Sequence, residues 1–167
     1  AERFDAKYRT ETVTDIDTKS RPFKLTLESG VTLQAETVII STGASARYLG
    51  LENEKELIGK GVSACATCDG FFYRDQIVHI VGGGDTAMEE ATFLTKFAKE
   101  VHVIHRRDTL RASKPMQKRA FDNPKISFIW DSAVEEILHD STGVTGIKVK
   151  NIKTISAKKK ITKKVLM

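Results

Sequence analysis

At 167 residues, 40% hydrophobic and 29% charged, the chain is sized for one ordinary domain or parts of two, and its composition is that of a globular protein. A formal charge of +5 would suggest nucleic acid or an anionic membrane, but eight of the 27 basic residues fall in the last twenty positions, and the remainder, with its 22 acids, is net negative. The basicity is thus a property of the tail, and no apolar run reaches the length of a membrane span, so neither nucleic acid nor membrane is expected as a partner.

Taken in order, residues 8–16 alternate enough for a strand. Phe23, Leu25 and Leu27 then share one face, Ser29-Gly30 turns the chain, and residues 31–33 return as a hairpin. Thr37-Val38-Ile39-Ile40 reads as a buried strand ending at Ser41-Thr42-Gly43. Residues 44–60 read as an irregular crossing, with a short helix near residues 54–58.

Cys65 and Cys68 are the only cysteines, in the order Cys65-Ala66-Thr67-Cys68-Asp69. A zinc site would need further ligands, and His102 and His105 are wrongly spaced to supply them, so no metal is expected. Two inert thiols are one reading. The redox reading is favoured, because C-x-x-C lowers a thiol pKa and sets up reversible exchange. Asp69 is placed either to move a proton at a leaving thiolate or to end a turn.

Ile77-Val78-His79-Ile80-Val81 has the β-branched apolar character of a buried parallel strand. Gly82-Gly83-Gly84-Asp85-Thr86-Ala87 follows and fits the pattern G-x-G-x-x-A. Gly82 would make the tight turn, Gly84 would admit a pyrophosphate to the backbone, and Ala87 would let the helix lie close on the strand. Ala87, Ala91, Leu94 and Ala98 recur at helical spacing, which predicts a helix over residues 85–98 with the pyrophosphate at its start. The alternative is a glycine turn that binds nothing.

Residues 101–104 read as the next strand. An acid at its end would bond the ribose hydroxyl of NAD, whereas arginine accommodates the 2′-phosphate of NADP. The chain has His105-Arg106-Arg107 there, with Arg111 beyond, so NADP(H) is preferred over NAD(H), against the alternative of a solvated basic corner. Nicotinamide carries hydride while thiols react as thiolates, and flavin is the usual carrier between them, so the three features together imply FAD.

Ser113 caps an expected helix over Lys114–Phe121, with Pro115 in its first turn, and Asn123-Pro124 ends it. Residues 126–130 read as a strand, with Trp130 assigned to the core. Residues 134–138 and 144–149 read as two strands about a turn that holds His139 exposed. The lysine-rich residues 154–167 read as a disordered or divergent tail.

The segment Gly61-Val62-Ser63-Ala64-Cys65-Ala66-Thr67-Cys68-Asp69-Gly70-Phe71-Phe72 resembles the active-site segment of the low-molecular-weight NADPH-dependent thioredoxin reductases. The resemblance continues through Gly82–Glu90, His105-Arg106-Arg107-Asp108 and Arg111-Ala112-Ser113-Lys114, and upstream through residues 41–51. It implies an α/β fold: a Rossmann-like NADP-binding domain of a two-domain flavin disulfide reductase, preceded by part of the FAD domain. The expected division is a partial FAD domain over residues 1–47, the NADP domain over 48–153, and the tail over 154–167. The implied activity passes electrons from NADPH through FAD and Cys65–Cys68 to thioredoxin, in a homodimer. Cys68 would sit against the flavin, Cys65 would attack thioredoxin, Asp69 would be the acid–base group, and Thr42-Gly43 would approach FAD. Alternatives are a related flavin disulfide reductase with another partner, such as a peroxiredoxin-reducing homologue, or a non-catalytic nucleotide-binding fragment. The cytosol is the expected compartment, with an organelle as the alternative. The chain begins at Ala1 rather than Met, carries no second glycine fingerprint for FAD, and departs from the family pattern after Thr154. It is therefore expected to be the middle of a longer reductase, without turnover alone.

Overall fold

The fold is that of a computed structural model, which describes residues 2–154 and 158–162. The chain divides into two compact units, Ala1–Ser45 and Ala46–Met167.

The first unit is an antiparallel sheet of β1 (Val13–Asp17), β2 (Phe23–Leu27) and β3 (Thr32–Ala35), in that order. The hairpin is closed by Gly30 at φ +82°, with Gly30 N–H donating to the Leu27 carbonyl at 2.8 Å. A side chain is strained at such a φ, which is why glycine serves the turn. Residues 8–12 lie outside β1, so the first strand is shorter than its alternation suggests. The expected strand over residues 37–40 is not formed, and Ile39 and Ile40 are exposed. Their β-branched character suits a strand buried among neighbours, but without hydrogen-bonded neighbours the pattern does not make a ladder.

The second unit is built on a parallel sheet of β4 (Ile77–Val81), β5 (Glu100–Ile104) and β6 (Ile126–Ile129). Before β4 comes a four-residue helix, α1 (Ala66–Asp69), continued by a 3₁₀ turn over Gly70–Tyr73. Between the strands run α2 (Asp85–Leu94) and α3 (Lys114–Phe121). Helix α2 ends at Leu94, short of the expected Ala98, and the Lys125 ammonium donates to the carbonyls of Thr95 and Ala98 at 2.8 and 3.0 Å. Those are carbonyls at the end of the helix and just past it, which need donors once the ladder stops.

Strand alternation divides the sheet's side chains between two cores. Val78, Ile80, Val101 and Val103 pack with Met88, Ala91 and Leu94 of α2 and with Ala120 of α3. Each fully buried Val, Ile, Leu or Met among them contributes about 1.5–3 kcal/mol. On the other face Val81, Ile104 and Ile129 pack against a second sheet. That sheet is antiparallel, formed by β7 (Ser132–Asp140), β8 (Gly143–Asn151) and β9 (Lys158–Thr162). Strands β7 and β8 exceed their sequence patterns, and His139 lies on β7, exposed, rather than in the turn. Where a disordered or divergent tail is expected, Lys158–Thr162 pairs with β8, Ile161 opposite Ile147. Residues 155–157 and 163–167 of that expected tail lie outside the described residues.

The loop before α1 is locked to the β7–β8 turn. Val144 N–H donates to the Lys60 carbonyl at 2.8 Å, Gly143 has φ +125°, and a Cβ on it would stand 2.2 Å from that carbonyl oxygen. Only glycine admits this approach. Among the described residues no helix is long and apolar enough to cross a membrane.

Candidate functional site

Strand β4 delivers the chain to the glycine cluster, and Gly84 is the N-cap of α2. A Cβ at Gly82 would lie 2.9 Å from the Ala87 Cβ, so the turn closes only with small residues at both positions. A Cβ at Gly83 would fall within 2.4–2.6 Å of the His105 ring. At Gly84 it would meet only an Arg111 Nη2, 3.8 Å away, which leaves this backbone open to a ligand. The first glycine closes the turn and the third leaves its backbone uncrowded. The middle one makes room for an imidazole.

Two further ties hold the turn. The Gly83 carbonyl accepts from Arg111 N–H at 2.7 Å and Ala112 N–H at 3.0 Å. Asp85 Oδ1 accepts from Ser113 N–H at 2.7 Å. That bond, then one from the Ser113 hydroxyl, holds the Asp85 carboxyl below its usual value. The Asp85 side chain therefore joins the start of α3 to the start of α2, while Ser113, the expected cap of α3, makes no side-chain cap bond. Thr86 is exposed in the first turn of α2.

His105, Arg106, Arg107 and Arg111 line one cavity of about 420 Å³ together with Gly82, Gly83, Leu49, Leu51, Val81, Ile104 and Val134. Among the described residues none of the three arginines is in salt-bridge contact with a carboxylate. Guanidiniums that line a cavity without a carboxylate partner favour an anion there. The nearest acid in sequence, Asp108, is instead held at 2.8 Å by the Lys153 ammonium, which also lies 2.8 Å from Asp131. A larger depression of about 580 Å³ runs between Leu51, Asn53 and β7, but it is lined by Glu52, Glu135 and Glu136 and by no arginine, so it does not favour a phosphorylated ligand.

The His105 ring nitrogen Nε2 lies 3.1 Å from the Thr109 carbonyl. Burial pushes the imidazole below its ordinary pKa; the Thr109 carbonyl opposes this in part, and Arg107, Arg106 and Arg111 add to the lowering. His105 is therefore neutral at pH 7 and donates to Thr109. With the folded pKa below the unfolded value near 6.5, the unfolded chain takes the proton first. Stability is expected to be level above about pH 7 and to fall as pH drops from about 6.5 through the folded value. Urea midpoints across that window, in wild type and His105→Asn, check this: part of the acid loss should vanish in the variant.

The cysteines form a disulfide across α1. Cys65 is the N-cap, and its Sγ accepts the Cys68 N–H at 3.2 Å. Thr67 Oγ1 lies 3.5 Å from the same sulfur. The buried Ser63 hydroxyl donates to Asp69 Oδ2 at 2.6 Å and accepts from Cys65 N–H at 3.1 Å. Ser63 thereby couples the carboxylate to the first cysteine. Glu90 of α2, its carboxyl raised above the ordinary value mainly by burial, accepts the Ala66 N–H and ties α1 to α2. Gly70 completes the joint, because a Cβ there would touch Leu94 at 3.0 Å.

Several of these residues carry no signal in the sequence. Glu54 looks like a surface charge, yet it is buried and accepts from the backbone N–H groups of Leu49, Gly50 and Leu51 at 2.9, 2.7 and 3.3 Å. It fixes the loop that puts Leu49 and Leu51 on the cavity wall. Trp130, expected in the core, is half-buried, stacked on Phe128 and 6.3 Å edge-on from His105. Thr42 and Gly43, expected toward FAD, belong to the first unit, are exposed in irregular structure, and a Cβ at Gly43 would meet nothing within 4 Å.

Residues 3–163 match the family described as pyridine nucleotide-disulphide oxidoreductase. A thioredoxin reductase from Streptomyces coelicolor is 54% identical over 154 residues, covering 92% of this chain and 48% of that protein. The structure of thioredoxin reductase from Giardia duodenalis superposes with a TM-score of 0.82 at 43% identity, over 99% of this chain and 53% of that one. That of the Lactococcus lactis thioredoxin reductase, in its FR conformation, gives 0.74 at 39%, over 93% and 51%. The chain spans about half the length of the curated relatives it matches.

Proposed function

Since the chain belongs to the pyridine nucleotide-disulphide oxidoreductase family, we propose that it carries the dithiol and the NADP(H) site of a thioredoxin-disulfide reductase. The observation that carries this reading is the pairing, within one unit, of a C-x-x-C disulfide with a glycine turn faced by three uncompensated arginines.

The NADP(H) half fits the residues present. Gly84 leaves the backbone at the start of α2 open for a pyrophosphate, and Arg106, Arg107 and Arg111 would take the 2′-phosphate. For FAD, Thr42 and Gly43 of the first unit would approach the cofactor from exposed, irregular backbone. The first unit would form part of the flavin domain. When bound, FAD supplies the exchange between hydride and sulfur chemistry.

What this chain's own residues do is thiol–disulfide exchange. In the reduced form Cys65 Sγ is the sulfur already served by a backbone N–H, so its thiolate is the better stabilised nucleophile. It attacks one sulfur of the partner's disulfide, forming a mixed disulfide and releasing one partner thiolate. Cys68 then attacks Cys65 Sγ, which re-forms the Cys65–Cys68 disulfide and releases the second partner thiolate. Two electrons pass to the partner, and the two protons of the dithiol end on its thiols, with Asp69 as the group that takes and returns a proton. Exposed Phe71 and Phe72 beside the disulfide, with Arg74 set 5.2 Å over Phe71, suit an apolar protein surface better than a small disulfide. Thioredoxin is the protein substrate that this surface suits in the proposed reading, and a cytosolic homodimer is what the resemblance to the reductases implies.

A trapping experiment tests this. With Cys68→Ser in the full-length protein, the Cys65 adduct cannot resolve. Thioredoxin that keeps only its attacked cysteine, activated as the mixed disulfide with thionitrobenzoate, should accumulate as a mixed disulfide at Cys65 as thionitrobenzoate leaves. No capture at Cys65, with the wild type active on a small disulfide, would show that thioredoxin is not the partner.

A further inference from the structure

Lys153 stands 45 residues from Asp108 in sequence, yet its ammonium bonds Asp108 Oδ2 at 2.8 Å and lies 2.8 Å from Asp131 Oδ1. We infer that Lys153 is a selectivity latch for the phosphate site: by holding Asp108 aside, it keeps Arg106 and Arg107 free for the 2′-phosphate. The inference rests on the NADP(H) reading of that cavity.

The need for a latch comes from the local sequence. Asp108 directly follows Arg107, so an unrestrained carboxylate has two guanidiniums within reach of its own short loop. A carboxylate is the commonest partner of an exposed guanidinium, and pairing there would compete with the phosphate ester for the same donors. In the structure that competition is absent. Asp108 has gone to Lys153, and its carboxyl is held below the ordinary value first by the Lys153 hydrogen bond and then by the Lys153 charge. Backbone bonds set the distance. Ile152 N–H donates to the Asp131 carbonyl at 2.7 Å, Asp131 N–H to the Arg107 carbonyl at 3.4 Å, and Ser132 N–H to the His105 carbonyl at 3.0 Å. The end of β8, the β6–β7 junction and the arginine loop are thereby stitched together, and Lys153 projects from the stitched end. Asp131 has φ +50°, which turns the chain where the latch closes.

Lys153 touches no substrate in this reading, so it is a positioning residue. It must be separated from a general effect of positive charge near the phosphate. A charge effect persists when Asp108 is neutral, whereas a latch effect requires the Asp108 carboxylate. The experiment is a double-mutant cycle on the full-length protein, titrating adenosine 2′,5′-bisphosphate and 5′-AMP by calorimetry. Lys153→Met is expected to weaken the bisphosphate by about fivefold, the upper scale of an exposed ion pair. It should leave 5′-AMP unchanged. In an Asp108→Asn background the same Lys153→Met change should move the bisphosphate by less than about twofold. Lys153→Arg should keep the wild-type preference, since it retains a cation for both carboxylates.

Equal losses in both backgrounds would overturn the latch and leave a plain charge effect. No loss from Lys153→Met would overturn it as well. A parallel loss for 5′-AMP would show that Lys153 serves the fold. A wild type that binds the bisphosphate no better than 5′-AMP would overturn the phosphate site itself and the latch with it.

Discussion

Replacing either Cys65 or Cys68 with Ser in the full-length protein is expected to lower NADPH-driven reduction of a protein disulfide by at least about a thousandfold, the scale on which loss of a reacting nucleophile is felt. Exchange needs both sulfurs: one opens the partner's disulfide, and the other resolves the mixed disulfide. Serine preserves the shape of α1 and the N-cap acceptor at position 65, so the fold should survive. The hydroxyl is no nucleophile toward sulfur at neutral pH. NADPH oxidation by a small artificial electron acceptor should continue in both variants, which separates loss of the dithiol from loss of the cofactor site. A Cys65→Ser protein that still reduces thioredoxin at the wild-type rate would remove the dithiol from the mechanism.

The second large effect belongs to the arginines. Arg106→Ala with Arg107→Ala takes two uncompensated guanidiniums from the cavity that also holds the glycine turn. A hydrogen bond to a charged group contributes about 1.5–3 kcal/mol, so NADPH should weaken by at least about tenfold. NADH carries no 2′-phosphate and should change little. The expected signature is a rise in KM for NADPH alone. Equal losses for both cofactors would point to a damaged fold or a misplaced site.

The parts of this site that could be read from the sequence are those in which the chemistry is local. The glycine turn, the dithiol and the arginine cluster each occupy fewer than about ten consecutive residues, and the roles proposed for them rest on backbone geometry at one place. The strand–turn–helix order around Gly82 and the span of α3 follow from periodicity and capping residues. Long-range features left no such trace. Glu54 is a carboxylate in a loop until three backbone N–H groups are seen to converge on it. Lys153 is one of many lysines near the end of the chain until it meets Asp108 and Asp131. Helix α1 is too short to show a period, and it depends on Glu90 and on the contact between Gly70 and Leu94. The reverse failure is residues 37–40, where a strong β pattern was legible and no strand formed, because a strand is a relation between neighbours.

The central claim is that NADPH, bound at the arginine-faced glycine turn, is the source of the electrons that open Cys65–Cys68. The direct measurement is anaerobic: add NADPH to the full-length oxidised protein, quench with an alkylating reagent, and locate the labels by peptide mass. The account predicts alkylation of Cys65 and Cys68 together, at NADPH concentrations where NADH gives far less. A disulfide that survives excess NADPH while the flavin is reduced, or labelling that is the same with NADH, would contradict it.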